Sequence, residues 1–300
     1  MNIRLFFRSA LLSTILAYLL IFIGGLVRVS GAGMGCPNWP KCGDNWIPPT
    51  NVDFEQFNLT LAWIEFINRS FGAILGISII VLCFLSIKYF YSNKKILSIS
   101  FLSLFLVIAN GLVGGALVWT NLNPFIKTFH MILALALVSS LSFLTVEGYK
   151  NLRDKKIILN SASLPNKKTI LIFAFFIIIE ILLGTGIRTN IEIVQTEFPL
   201  LNKSEQLDSI PFYKYFHTFL GFTLLFLSFY LYKKFSNHSL RIIKSLNIFI
   251  LCMIFVQILL GELLVFFELP QLARLFHTWG SSWLVGISVI YYNLIDYELA

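Results

Sequence analysis

"NGLVGGALVWTNLNPFIKTFHMILALALV", residues 110–138, is an apolar run, a short polar break before Pro124, and a second apolar run carrying His130. Residues 257–286, "QILLGELLVFFELPQLARLFHTWGSSWLVG", repeat that plan 147 positions later, with His277 where the first copy has His130. Apolar stretches that continue for about 20 residues on either side of such a break predict membrane-spanning helices. A hairpin of two spans present twice in one chain predicts a duplicated helical bundle.

The repeat extends outward from this stretch. "FINRSFG" at 66–72 matches "YFHTFLG" at 215–221, an offset of 149, and "GGLVR" at 24–28 matches "GTGIR" at 184–188, an offset of 160. The larger last offset predicts a longer outer loop after the fifth helix. Eight helices follow, over roughly 9–28, 61–88, 97–119, 125–147, 168–187, 211–232, 243–267 and 271–295. Four helices per half is an even number, so both halves run the same way through the membrane, unlike an inverted transporter repeat. The expected fold is an all-α polytopic membrane protein of eight transmembrane helices, built as two pseudo-symmetric four-helix bundles, residues 1–150 and 151–300.

Composition agrees with that class. The 300-residue chain is 57% hydrophobic and only 13% charged, with a mean hydropathy of +0.80, more apolar surface than a soluble domain can hide. The net charge of +8 is therefore read as basic cytoplasmic loops, not as a nucleic-acid surface. With the N-terminus inside, fifteen of the 23 basic residues fall on the cytoplasmic side: Arg4, Arg8, Lys88, Lys94, Lys95, Lys150, Arg153, Lys155, Lys156, Lys167, Lys168, Lys233, Lys234, Arg241 and Lys244. The first apolar run is read as a retained helix, not a cleaved leader. Both termini are expected inside and "GAGMGCPNWPKC", residues 31–42, outside, where disulfides persist. Cys36 and Cys42 are close enough to pair across a short turn, while Cys83 and Cys252 fall within spans and read as small packing residues.

Three of the four histidines lie within helices. His130, His217 and His277 each sit about six residues inside an outer helix end, roughly 9 Å deep at 1.5 Å per residue. Polar groups at that depth are costly and mark functional sites. His217 and His277, at matched depth in one half, suit bis-imidazole ligation of a haem iron. A zinc site lacks further ligands. Lys127, Lys214 and Arg274 stand three residues before the three histidines, on the same helix face, and would offer a cationic rim to haem propionates. One such cation is an ordinary snorkelling side chain; three aligned instances favour function. The fourth repeat position departs, with Glu65 in place of the cation and Asn68 in place of the histidine. A carboxyl group within a span is a functional candidate, and Arg69 beside it is read as a propionate or charge-balancing partner. His238 falls in a cytoplasmic loop and reads as a solvated side chain.

These residues resemble those of the haem A synthases, membrane enzymes that convert haem O to haem A. "GGLVRVSGAGMGCPNWPKC" is similar to the family's first-span and outer-loop motif, and "WIEFINRSFG", "FHMILALALV", "FHTFLGF" and "FHTWGSSWLVG" fall where its helix motifs fall. The resemblance implies haem b held in the C-terminal half by His217 and His277, the histidines that Lys214 and Arg274 precede. It implies haem O as substrate in the N-terminal half, with Glu65 needed for turnover; His130, Asn68, Arg69, Lys127 and Arg28 are the candidate residues for binding it there. The implied reaction oxidises a porphyrin methyl group to an aldehyde through a hydrated intermediate. A Cys36–Cys42 disulfide is also implied, with a part in electron flow or in accepting haem O from haem O synthase. The family's helix-2 motif is usually Glu-x-x-His-Arg; Asn68 replaces that histidine, so either His130 alone holds haem O and an axial position is open for chemistry, which is the favoured reading, or this member has lost or changed activity. The expected setting is the cell inner membrane, among lipid, with the electron acceptor unidentified and homo-oligomerisation left open. Three rival readings stand beside it: a di-haem electron carrier, a thiol oxidoreductase built on Cys36 and Cys42, and a small-solute transporter.

Overall fold

The computed structural model describes residues 3–48, 58–153, 157–159 and 164–299. The helices are α1 (Ile3–Ser30), α2 (Leu59–Phe90), α3 (Lys94–Trp119), α4 (Pro124–Leu152), α5 (Leu164–Glu197), α6 (Lys203–Asp208), α7 (Tyr213–Lys234), α8 (Arg241–Phe266) and α9 (Gln271–Leu294). A single 3-10 turn, Ala32–Met34, follows α1. Two three-residue strands, β1 (Ile157–Leu159) and β2 (Tyr297–Leu299), pair antiparallel in an otherwise all-α fold.

Long apolar runs without interior proline make these helices, and polar residues end them. Asn58 and Asn93 cap α2 and α3, their side chains accepting from the main-chain N–H of Leu61 (3.1 Å) and Ile96 (3.2 Å). Helix α5 runs ten residues past its expected end at 187. The short α6 then closes the long outer loop with a capping box between Asn202 and Glu205.

Seven helices, α1 to α5, α7 and α8, are long and apolar enough to cross a membrane. The chain is a multi-pass membrane protein. Large apolar side chains such as Phe84, Phe105 and Phe226 are exposed, as a lipid-facing surface requires. The expected eighth span, α9, is less apolar because Arg274, His277, Thr278, Ser281 and Ser282 lie in its first half. Its 24 residues still reach about 36 Å, against a hydrocarbon core of about 30 Å.

The chain divides into two compact units, Met1–Gly148 and Tyr149–Ala300. In the first, α1 packs on α2 and α2 on α3. Small polar side chains join the helices: Ser13 to Ser78 (3.0 Å), Ser103 to Ser140 (2.8 Å), and Thr14 to Thr145 (2.9 Å), the last tying α1 to α4. Lipid tails give apolar helices no reason to prefer one another, so such small-residue contacts carry much of the specificity. In the second unit α5, α7, α8 and α9 close a ring, each packed on two neighbours. Within it Tyr291 donates to Asn247 Oδ1 (2.5 Å) and Arg188 to Thr278 Oγ1 (3.3 Å).

The α3–α4 and α8–α9 turns agree residue for residue. Asn121 and Leu122 have φ of 49° and 61°; Glu268 and Leu269, 147 positions on, have 51° and 62°. Leu122 and Leu269 N–H groups donate to the carbonyls of Leu117 and Leu264, both at 2.8 Å. Two smaller sequence expectations are corrected. Cys83 is buried and its thiol donates to Ser100 O (3.2 Å), but Cys252 is exposed on α8 and packs no interior. His238 is not simply solvated: Nδ1 accepts from Leu240 N–H (3.1 Å), so Nε2 donates to Ile295 O (3.0 Å) and ties the α7–α8 loop to the end of α9.

Candidate functional site

In the second unit α7 and α9 bring the His217 and His277 rings together edge-on, with centroids 6.3 Å apart and planes at 72°. A metal–imidazole bond is about 2 Å. With about 1 Å more from nitrogen to ring centre on each side, two imidazoles sharing one metal stand about 6 Å apart. The 6.3 Å separation of the pair is close to that distance. Among the described residues no three His, Cys, Asp or Glu side chains gather as a metal cluster, and a two-imidazole site asks for none.

Glycines make room for the rings. A Cβ on Gly184 of α5 would lie 3.0 Å from His217 Cε1, and one on Gly261 of α8 would lie 3.7 Å from His277 Cε1. In the first unit a Cβ on Gly24 would meet Asn68 Oδ1 at 3.6 Å and one on Gly114 would meet His130 Cε1 at 3.5 Å. Each of the four equivalent positions thus lies over a glycine of a neighbouring helix, and Asn68 occupies the place that His217 occupies in the other half. Nδ1 of His130, His217 and His277 is buried in each case. The main chain of Asn110 lies beside His130, and that of Gln257, 147 positions on, beside His277.

The neighbours of His217 include one residue that the sequence reading passed over. Glu180 of α5 places Oε1 3.1 Å from His217 Nδ1, within ion-pairing distance though not aligned as a hydrogen bond. It is the only ionisable residue between 169 and 187, and the criterion that singled out Glu65 singles it out too.

The cations are partly committed elsewhere. Lys214 Nζ donates to Leu207 O (3.2 Å) and stands over the Tyr215 ring. Arg274 Nε is buried without a hydrogen bond, with Glu192 as a neighbouring charge, and Glu192 also lies 3.7 Å from Arg188 Nε. Arg28, in the last turn of α1, and Lys127, in the first turn of α4, are both half-buried and engaged.

In the first unit Glu65 is 4% exposed and both its oxygens are bonded. Oε2 accepts from Cys36 N–H (2.7 Å), and Oε1 pairs with Arg69 one turn along α2. Arg69 Nη1 in turn donates to the carbonyls of Asn38 (2.9 Å), Pro40 (3.3 Å) and Lys41 (3.0 Å). The acid and base expected at a pocket therefore clamp the loop that carries Cys36 and Cys42. Cys36 and Cys42 form a disulfide, buried with Ala62 of α2. Gly35 fits so closely that a Cβ there would lie 2.5 Å from Leu61 O, and Trp39 lies over Gly115 of α3 and edge-on to Trp119. The bonds from Glu65 and Arg69 to the loop join residues 28 to 31 positions apart, and no local pattern shows them.

Residues 8–289 match the COX15-CtaA family, described as cytochrome oxidase assembly protein. Among curated proteins, the chain is 27% identical over 193 residues to a heme A synthase of Shewanella oneidensis, covering 60% of this chain and 56% of that protein. It is 30% identical over 139 residues to one of Geobacillus thermodenitrificans, covering 46% and 41%. A Bacillus mycoides heme A synthase is 28% identical over 199 residues, covering 65% and 61%. The chain thus spans about half the length of the curated relatives it matches. With the family match running over nearly its whole length, this chain belongs to the COX15-CtaA cytochrome oxidase assembly protein family.

Proposed function

We propose that the chain is a haem A synthase, oxidising a methyl group of haem O to a formyl group within the membrane. The relatives are named for that activity, and the observation that carries the reading is the 6.3 Å separation of the His217 and His277 imidazoles. These two residues would hold haem b as resident cofactor, and such a group supplies one-electron transfer when bound. Arg274 and Lys214 would supply cations for its propionates.

Haem O is the substrate of the other half, taken at His130, with Asn68 opposite and Lys127, Arg69 and Arg28 toward the rim. An amide is a poor iron ligand beside an imidazole, which leaves one axial face open. Glu65 manages the proton or stabilises positive charge developing at the methyl carbon. Its two oxygens are fixed by Cys36 N–H and Arg69, so its charge is held in one place in a low-dielectric setting where it counts most. The lysine and arginine distribution supports an inner-membrane setting with α9 as eighth span, both termini cytoplasmic and the Cys36–Cys42 loop outside. That loop is where haem O synthase would deliver substrate.

Purification from cells that make haem O, followed by porphyrin identification, tests the reading. Haem b together with haem A is expected; haem b alone would make the chain an electron carrier, and absence of haem would end both. Glu65→Gln keeps an acceptor for Cys36 N–H but removes the charge. It is expected to retain haem b and to lower haem A yield at least 100-fold, the scale of a general acid–base contribution. An unchanged yield would remove Glu65 from the chemistry.

A further inference from the structure

We propose that Glu180 is the positioning residue for His217: its carboxylate takes the Nδ1–H, turns Nε2 toward the iron, and makes this imidazole the stronger donor of the pair. The proposal rests on the reading of His217 and His277 as a ligand pair. Three observations carry it. Glu180 Oε1 lies 3.1 Å from His217 Nδ1, the nitrogen that ligation through Nε2 leaves over; the two are in ion-pairing reach but not aligned as a hydrogen bond, and a turn of the imidazole would align them. Oε2 of the same carboxylate is buried and unpartnered, so its charge has no other named claimant. And α7 carries Gly221 one turn beyond His217, where a Cβ would come within 3.3 Å of Oε1; the acid has a place made for it.

The arrangement is one-sided. His277 has the main chain of Gln257 beside it, a neutral group, and the repeat puts Leu20 where the second unit has Glu180. A carboxylate behind a ligating histidine fixes its tautomer and raises its basicity. A more basic ligand, with an anion behind it, stabilises the oxidised iron over the reduced iron. Glu180 therefore holds the resident haem at a lower potential than two carbonyl-backed histidines would, and no counterpart does so for the substrate half.

The test uses the full chain purified with its haem, titrated spectroelectrochemically as wild type, Glu180→Gln, Glu180→Leu and Glu262→Gln. Glu180→Gln keeps the shape and loses the charge. It is expected to keep the low-spin spectrum and shift the reduction equilibrium about tenfold toward the reduced form, which is 59 mV for one electron. Glu180→Leu should move the same way. Glu262 is an exposed acid of the same unit, and its replacement should leave the potential where it was. A Glu180→Gln potential equal to wild type overturns the proposal, as does an equal shift in Glu262→Gln, which would reduce the effect to charge at large. A wild-type chain that takes up no haem overturns the ligand-pair reading itself, a different failure from haem bound at an unmoved potential.

Discussion

Single atoms decide the geometry around the histidines. Gly184 and Gly261 each lie over a histidine ring of the second unit, yet a methyl group would stand 3.0 Å from the ring in one case and 3.7 Å in the other. The first distance forces His217 to move and the second is ordinary contact. Gly184→Ala is therefore expected to weaken haem retention by 10- to 100-fold, the scale of losing a ligand's support, while Gly261→Ala stays close to wild type; haem-to-protein ratio after purification separates them. Asn68 invites the opposite experiment. Gly24 gives it 3.6 Å, comparable to the room at His277, so Asn68→His should be accommodated and should complete a second imidazole pair with His130. The expected outcome is a second low-spin signal in the oxidised spectrum with a fall in haem A yield, because the open face is then closed. A rise in yield would show that the amide is a defect and not a device.

At the scale of elements, the outer loop is held by shape as much as by its disulfide. Gly35 lies so near the α2 backbone that any Cβ meets Leu61 O at 2.5 Å, and a helix backbone cannot step aside as a flexible side chain could. Gly35→Ala should cost about 1–3 kcal/mol by overpacking. It should be seen as a lowered melting temperature in detergent and as faster reduction of Cys36–Cys42 by thiols. The cross-link itself closes a short segment, with sequence separation 6, and in the chain-entropy account this contributes about 2 kcal/mol. Much of what the sequence made legible lives at this scale. The α-helices fall close to their expected bounds because long apolar runs and asparagine caps are local signals. The extension of α5 and the short α6 were not foreseen, since they lie in a polar stretch with no hydrophobic period to read.

For the whole molecule, the duplication was legible because offsets of 147 and 149 recur across separate motifs. What the two copies do with their shared positions was legible only in part. The alignment of His217 with His277 follows from depth and period, but the Glu65–Arg69 clamp on the loop depends on contacts between distant segments, and Glu180 was missed although it met the same test as Glu65. Residues 149–300 form a compact unit of their own, with α5, α7, α8 and α9 each packed on two neighbours. That segment, expressed alone in membranes, is expected to insert and to bind haem with the spectrum of the resident site. Residues 1–148 alone should show no such spectrum. Haem lost from the isolated second unit would mean that the first unit contributes to its retention.

The paired bends at Asn121–Leu122 and Glu268–Leu269 bear on how such a protein diverges. A leucine held in the left-handed region costs about 1–2 kcal/mol, and both copies tolerate it, although the residue before it is an amide in one and an acid in the other. The hairpin's path is thus inherited scaffolding, indifferent to part of its own sequence. Ligands, charges and partners are free to drift upon it, and the two copies carry different side chains along one path.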